Sequence, residues 1–237
     1  MAGRDPSGRG WLYAKPFDPA PGNPAFYYEH YQVLNLLCVM DLPHRGHVLE
    51  VGCGPGWISE MLVLLGFGVT GIDPSADMLE IARQRVAGGV RHRQVAEPGA
   101  AEFIQCSIEE NSLPSEHFDA VLYHEALHHV VDERRALAET FRALKPGGVV
   151  GVCEWAWAPG EEKLETELRA EMAEFGTLES PFTREYLDHL LAAVGFVDVR
   201  RYHGINGLFP EDQGGVALSD LAEAPATSTN NLTARKP

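Results

Sequence analysis

Val48-Leu49-Glu50-Val51-Gly52-Cys53-Gly54-Pro55-Gly56-Trp57 joins a short apolar run to a turn with glycine at every second position, and an apolar-periodic segment, Ile58 to Leu65, follows directly. This order predicts a strand, a tight turn and a helix. Glycine lets the backbone bend sharply and lets a ligand lie against bare main chain. Amides at the start of the following helix then point at whatever sits there. The spacing separates two classes of nucleotide-like ligand. A dinucleotide turn follows G-x-G-x-x-G, whose third glycine allows helix and strand to pack closely. Here that position is Trp57, and the run reads E-x-G-x-G-x-G over Glu50, Gly52, Gly54 and Gly56. A carboxylate beside the turn repels a pyrophosphate and attracts an ammonium or sulfonium group.

This stretch resembles the first motif of the class I S-adenosylmethionine-dependent methyltransferases. The resemblance implies a Rossmann-like, doubly wound α/β fold: a seven-stranded, mostly parallel sheet with an antiparallel last strand and an N-terminal helical lid. S-adenosyl-L-methionine is the implied cofactor. Gly68-Val69-Thr70-Gly71-Ile72-Asp73 reads as a second strand ending in a carboxylate, about twenty residues after the turn, where a ribose-binding acid is expected. Pro74-Ser75-Ala76-Asp77-Met78-Leu79 then opens a helix with Asp or Ser as its cap. The resemblance implies Asp73 on the ribose, with Pro74 and Met78 walling the adenine.

A third strand, Ala101 to Cys106, leads into Ser107-Ile108-Glu109-Glu110 and on to Leu113-Pro114 and Phe118-Asp119-Ala120-Val121. This resembles the family's G-D-(A/I)-E…L-P…F-D-x-V stretch, with Ser107 where an Asp usually accepts from the adenine amino group. A neutral hydroxyl still accepts that bond but contributes less, and the Ile108 amide is left for the ring nitrogen. After the fourth strand comes Tyr123-His124-Glu125-Ala126-Leu127-His128-His129-Val130, where the chain passes the methionine end of the cofactor; Tyr123 is counted among the cofactor contacts. The run is similar to E-x-L-x-H-V of quinone-biosynthesis methyltransferases, with His129 on the family histidine. His129 and His128 are the candidate catalytic bases, since imidazole titrates near neutral pH. On a helix two adjacent side chains diverge by about 100°, so one base and one packing residue are expected.

His124-Glu125-Ala126-Leu127-His128 also fits H-E-x-x-H, the pattern of a zinc-binding helix. A run that starts at the end of a buried strand in a nucleotide-binding frame argues against a zinc hydrolase, and no metal site is expected.

The 237 residues suit one domain, set at 25–237 after a flexible segment, 1–24. A net charge of −15 argues against a nucleic-acid backbone as partner. Cys38, Cys53, Cys106 and Cys153 lack CxxC spacing and read as reduced, buried packing residues of a cytoplasmic protein. No segment reads as a membrane span or signal peptide. The sequence leaves the oligomeric state open.

Asn23-Pro24 starts a helix reaching Met40, with Phe26, Tyr27, Val33, Leu36, Leu37 and Met40 at helical spacing. In the family such a helix is part of a lid. Asp132 to Leu144 reads as an amphipathic helix, stopped by Lys145-Pro146-Gly147-Gly148 before a fifth strand, Val149 to Trp155. A charged helix over Glu161 to Glu174, a helix from Thr183 to Val194 and a strand from Val197 to Tyr202 follow. Asn231 to Pro237 is the candidate last strand. The loop Gly204 to Ala226, with Trp155, Trp157 and the aromatic N-terminal helix, is where an acceptor is expected.

The reading is methyl transfer to a small organic acceptor, a hydroxyl first, with N- or C-methylation as alternatives. An NAD-linked oxidoreductase is opposed by Trp57 and Glu50. A non-catalytic cofactor-binding subunit is suggested by Ser107 alone.

Overall fold

A computed structural model describes residues 25–93, 97–155, 166, 172, 178–179, 182–202 and 229–237. The expected segment 1–24, the loop at 204–226 and most of the charged helix over 161–174 lie outside the described residues, as do the side chains of Phe26, Tyr27, Tyr28 and Trp155 and all of Trp157.

The elements run α1 (Ala25–Met40), β1 (His47–Val51), α2 (Trp57–Leu64), β2 (Gly68–Asp73), α3 (Ala76–Arg93), β3 (Ala101–Gln105) and β4 (Phe118–His124). Then come a 3-10 turn (Leu127–His129), α4 (Glu133–Ala143), β5 (Leu144–Trp155), α5 (Arg184–Val194), β6 (Val197–Arg201) and β7 (Thr229–Arg235). They build one seven-stranded sheet in the order β3-β2-β1-β4-β5-β7-β6. The pairings from β3 to β5 are parallel, and β7 runs antiparallel to both β5 and β6.

The inner strands β1, β2 and β4 are buried on both faces, which is why they read as nearly continuous apolar runs, whereas the edge strands β3 and β6 are largely exposed. Successive residues feed opposite core layers. Leu49, Val51, Val121, Tyr123, Val150 and Val152 pack under α4 and α5. Val48, Ala120, Leu122, Val149 and Cys153 pack under α1, α2 and α3. Strand order reverses between β1 and β4, and the crevice beyond their carboxyl ends is the ligand position in sheets of this kind. Both stretches singled out by the sequence, the glycine turn and the histidine run, leave the sheet there.

Local chemistry sets the helix ends. Asp132 caps α4 by accepting from the Arg135 amide at 2.9 Å, and Thr183 caps α5 by accepting from the Tyr186 amide at 3.2 Å. Gly195, at φ 112°, ends α5 where the sequence placed its stop.

Two elements depart from expectation. β5 begins at Leu144, before the K-P-G-G turn: Leu144 pairs with Phe118, the register then shifts, and Val149 pairs with Ala120. The turn is thus an irregularity inside the strand, held by Lys145 Nζ donating to Asp119 Oδ1 at 2.7 Å. β7 starts at Thr229 and is buried despite its polar sequence, with Asn231, Leu232, Thr233 and Ala234 all inside. Partners on both sides absorb its backbone groups. α1 packs against β5 and β7 through Val33, Leu36 and Met40, and His30 reaches the ring of Trp57 (centroids 5.4 Å apart).

Candidate active site

The turn after β1 is shaped by close approach on two sides and by open space between them. A Cβ on Gly52 would lie 2.6 Å from the Ala126 Cβ, and one on Gly56 would lie 2.6 Å from the Ala82 Cβ. Gly54, at φ +50°, has nothing within 4 Å of such a position, so its main chain faces the crevice. The Gly54 amide donates to Asp73 Oδ2 at 2.9 Å and the Ser75 amide to Asp73 Oδ1 at 2.8 Å. Asp73 therefore ties the glycine turn to the start of α3, where the Ser75 hydroxyl accepts from the Met78 amide at 3.4 Å.

Glu50 lies beneath the turn, 3% exposed, accepting a hydrogen bond from the Ser59 hydroxyl of α2. Burial pushes its pKa up to about 8, and the charge of Asp73 adds to that against the Ser59 bond. Burial also raises Asp73, opposed by the Ser75 and Gly54 amides and by His129. Among the described residues neither carboxyl pairs with a lysine or arginine. Two desolvated acids side by side favour a bound cation.

The residues expected on the adenine side lie at the neighbouring strand ends, where Asp73 and Gln105 are register partners. Pro74 is exposed and its carbonyl accepts from Gln105 Nε2 at 3.0 Å, while Met78 is half-buried. The Ser107 hydroxyl accepts from the Glu110 amide at 3.0 Å, and the Ile108 side chain is buried in the core.

Across the crevice, Glu125 at φ 48° turns the chain out of β4 into the 3-10 turn. His124 and His128 thus share no helical face, and the zincin geometry is absent. The expected divergence of His128 and His129 is absent too: on this tight turn their ring centroids are 4.0 Å apart. His128 is buried, with Nδ1 bonded to Glu154 and Nε2 3.2 Å from Glu179. Burial opposes its charged form, but the Glu154 bond and the charges of Glu154, Glu179 and Glu125 outweigh it and hold its pKa above the ordinary imidazole value. His129 is exposed, with Nδ1 2.7 Å from the Leu178 carbonyl and 3.4 Å from Glu179 Oε1.

Residues 49–152 match the family model for the methyltransferase domain. The chain is 34% identical over 112 residues to a demethylmenaquinone methyltransferase of Clavibacter sepedonicus, a match covering 47% of this chain and 42% of that one. It is 34% identical over 105 residues to a ubiquinone biosynthesis O-methyltransferase of Bradyrhizobium sp., covering 44% and 38%. The chain thus spans less than half the length of these relatives. A SAM-dependent methyltransferase structure from Methanosarcina mazei superposes with a TM-score of 0.63 at 22% identity, covering 84% of this chain and 96% of that one.

Residues 49–152 are a class I methyltransferase domain.

S-adenosylmethionine is the cofactor of this domain class. The structure brings together Glu50, Gly52, Gly54, Gly56, Asp73, Pro74, Met78 and the 107–108 loop around the ends of β1, β2 and β3. Tyr123 is a correction: its side chain is fully buried and its hydroxyl meets Thr140 Oγ1 of α4 at 2.6 Å, in the core layer facing away from Glu50. The strand's period of two decides this, because Tyr123 shares a face with Val121. Cys38 is a second correction, being exposed where a buried residue was expected.

Two residues of the candidate site were not anticipated. Glu154 is buried, accepting from the Ala126 and Leu127 amides at 2.8 and 2.7 Å as well as from His128. A carboxylate inside the apolar run Val149 to Trp155 was its signal, the same signal that marks Glu50. Glu179 is the one charged residue between Glu174 and Arg184, but no motif or periodicity there marks it.

Proposed function

We propose that this methyltransferase moves the methyl group of S-adenosylmethionine onto an oxygen of a small organic acceptor, by in-line displacement at the sulfonium carbon. The reading is carried by one observation: Glu50 and Asp73, two desolvated carboxyls that pair with no lysine or arginine among the described residues, lie at the glycine turn beside the open main chain of Gly54. Glu50 would meet the ammonium group of the cofactor. Asp73 would accept from the ribose hydroxyls with the lone pairs that its two amide bonds leave over.

The protein's main contribution is orientation, worth up to about 7–11 kcal/mol of barrier. His129, exposed beside the crevice, is placed to take the acceptor's proton. His128 is held between two carboxylates and steadies the turn. A base so placed adds roughly 10²–10⁴-fold to transfer onto a hydroxyl. The relatives named for ubiquinone O-methylation support oxygen as the acceptor atom. A net charge of −15 disfavours nucleic acid as acceptor.

Calorimetry with S-adenosylmethionine, its demethylated product and NAD tests the reading. Both sulfur nucleosides should bind and NAD should not. Asp73→Ala should weaken cofactor binding by roughly one to two decades, the size of the lost charge-assisted bonds. Unchanged affinity in that variant removes Asp73 from the site, and selective binding of NAD overturns the whole reading.

A further inference from the structure

Beyond the end of β4, ring nitrogens of His128 and His129 and a carboxylate oxygen of Glu179 lie within 4.8 Å of one another. Two imidazoles and one carboxylate on one side of an ion, with positions left open, form a recognised donor set for divalent transition metals. Glu154 supplies the outer support such centres use. Its buried carboxylate holds His128 Nδ1 while the Ala126 and Leu127 amides hold the carboxylate. With Nδ1 donating to Glu154, His128 presents the Nε2 lone pair to Glu179 Oε2 at 3.2 Å. Two acceptors facing each other at that distance need a positive charge between them. A proton on Nε2 supplies it for His128 alone. A metal ion supplies it for His128 and His129 together, exchanging the His129 contact with the Leu178 carbonyl at 2.7 Å for a coordinate bond.

The geometry points to a divalent metal site formed by His128, His129 and Glu179, with Glu154 as a positioning residue and the open positions facing the acceptor. The acceptor class follows: a hydroxyl beside a second oxygen, so that the two close a chelate ring on the ion. This acceptor assignment rests on the methyl-transfer reading; the metal site does not. In the loaded enzyme the bound hydroxyl loses its proton to solvent water, because coordination to the ion lowers its pKa. The oxyanion then forms the O–CH3 bond as the S–CH3 bond breaks, and that electron pair stays on sulfur. His129 acts there as a ligand, and the ion takes over the ionisation that the histidine performs without it.

Chelator-treated, desalted protein titrated by calorimetry with ZnCl2 alone, and separately with MnCl2 alone, tests the site. One ion per chain is expected for at least one of the two metals, and His129→Ala and Glu179→Gln should each weaken its binding at least about tenfold. The metal-free unfolding midpoint of the exposed-site variant His129→Ala should stay at the wild-type value, which separates lost ligation from misfolding. Wild type loaded with cobalt(II) should show a visible absorption band that both variants lack. No stoichiometric uptake of either metal overturns the proposal, as does one-to-one binding that survives both substitutions. Cofactor affinity of the same metal-free sample is the separate control: retained binding with no metal uptake sinks the metal site alone, whereas lost binding sinks the methyl-transfer reading.

Discussion

Glu50 shows how a single residue couples stability to function. The fold holds its proton up to about pH 8, against an ordinary value of 4.5. The native state therefore binds that proton more tightly than the unfolded chain does. The stability this contributes is complete below about pH 4.5 and is lost as pH rises through 8. Glu50→Gln mimics the protonated form, so thermal melts across pH should show no advantage for the variant near pH 4, then a growing one that levels off above about pH 8. Affinity for a cationic cofactor runs the opposite way. Wild-type binding should strengthen with pH toward 8, while the variant stays weak and flat in calorimetry. Loss of both trends would show that the carboxyl is not the group the turn shields. Tyr123 makes the complementary case. Thr140 Oγ1 donates to the Ala136 carbonyl at 2.9 Å, so the tyrosine hydroxyl donates to Thr140. Tyr123→Phe should lower unfolding free energy by about 1 kcal/mol in urea melts and leave cofactor affinity untouched. A drop in affinity would return this residue to the site.

Among the elements, the turn between β1 and α2 separates two uses of glycine. At Gly52 a side chain meets Ala126, a β-carbon fixed to the backbone that cannot swing away. At Gly54 the space is empty until a ligand fills it. Gly52→Ala should therefore act on the fold, lowering stability by roughly 2–4 kcal/mol through overpacking and a positive φ together. Gly54→Ala keeps only the conformational penalty, about 1–2 kcal/mol, but its methyl group stands where the proposed reading puts the cofactor. Melting temperatures and cofactor titrations on the pair should separate the effects: a large thermal loss for Gly52→Ala, and a large affinity loss for Gly54→Ala. Equal behaviour in both assays would contradict the placement of the ligand over Gly54.

At the scale of the molecule, the sequence made visible what repeats with a period. Val48 to Val51, Gly68 to Asp73 and Phe118 to Tyr123 alternate or run apolar because both faces of the parallel sheet are covered. The glycine spacing beside Glu50 marked the turn between β1 and α2 for the same local reason. The acceptor end was less legible, because its contacts join residues far apart in the chain. Glu154 reaches His128 across 26 positions, and Glu179 meets the histidines from beyond β5. The placement of Tyr123 was misjudged from its position in a motif, although strand periodicity already assigned it to the other face. β7 was hard to see because its burial comes from two neighbouring strands rather than from its own composition. That origin implies how the molecule completes itself. β7 is the shared partner of β5 and β6, so without it neither β5's outer edge nor β6 has a strand to pair with in this sheet. Removing 229–237 should therefore do more than shorten the chain: it should expose the β5 edge, abolish a single cooperative unfolding transition and promote association. Circular dichroism with size-exclusion chromatography reads both effects. A truncated chain that still melts in one sharp step as the same-sized species would mean that β5 closes the sheet by itself.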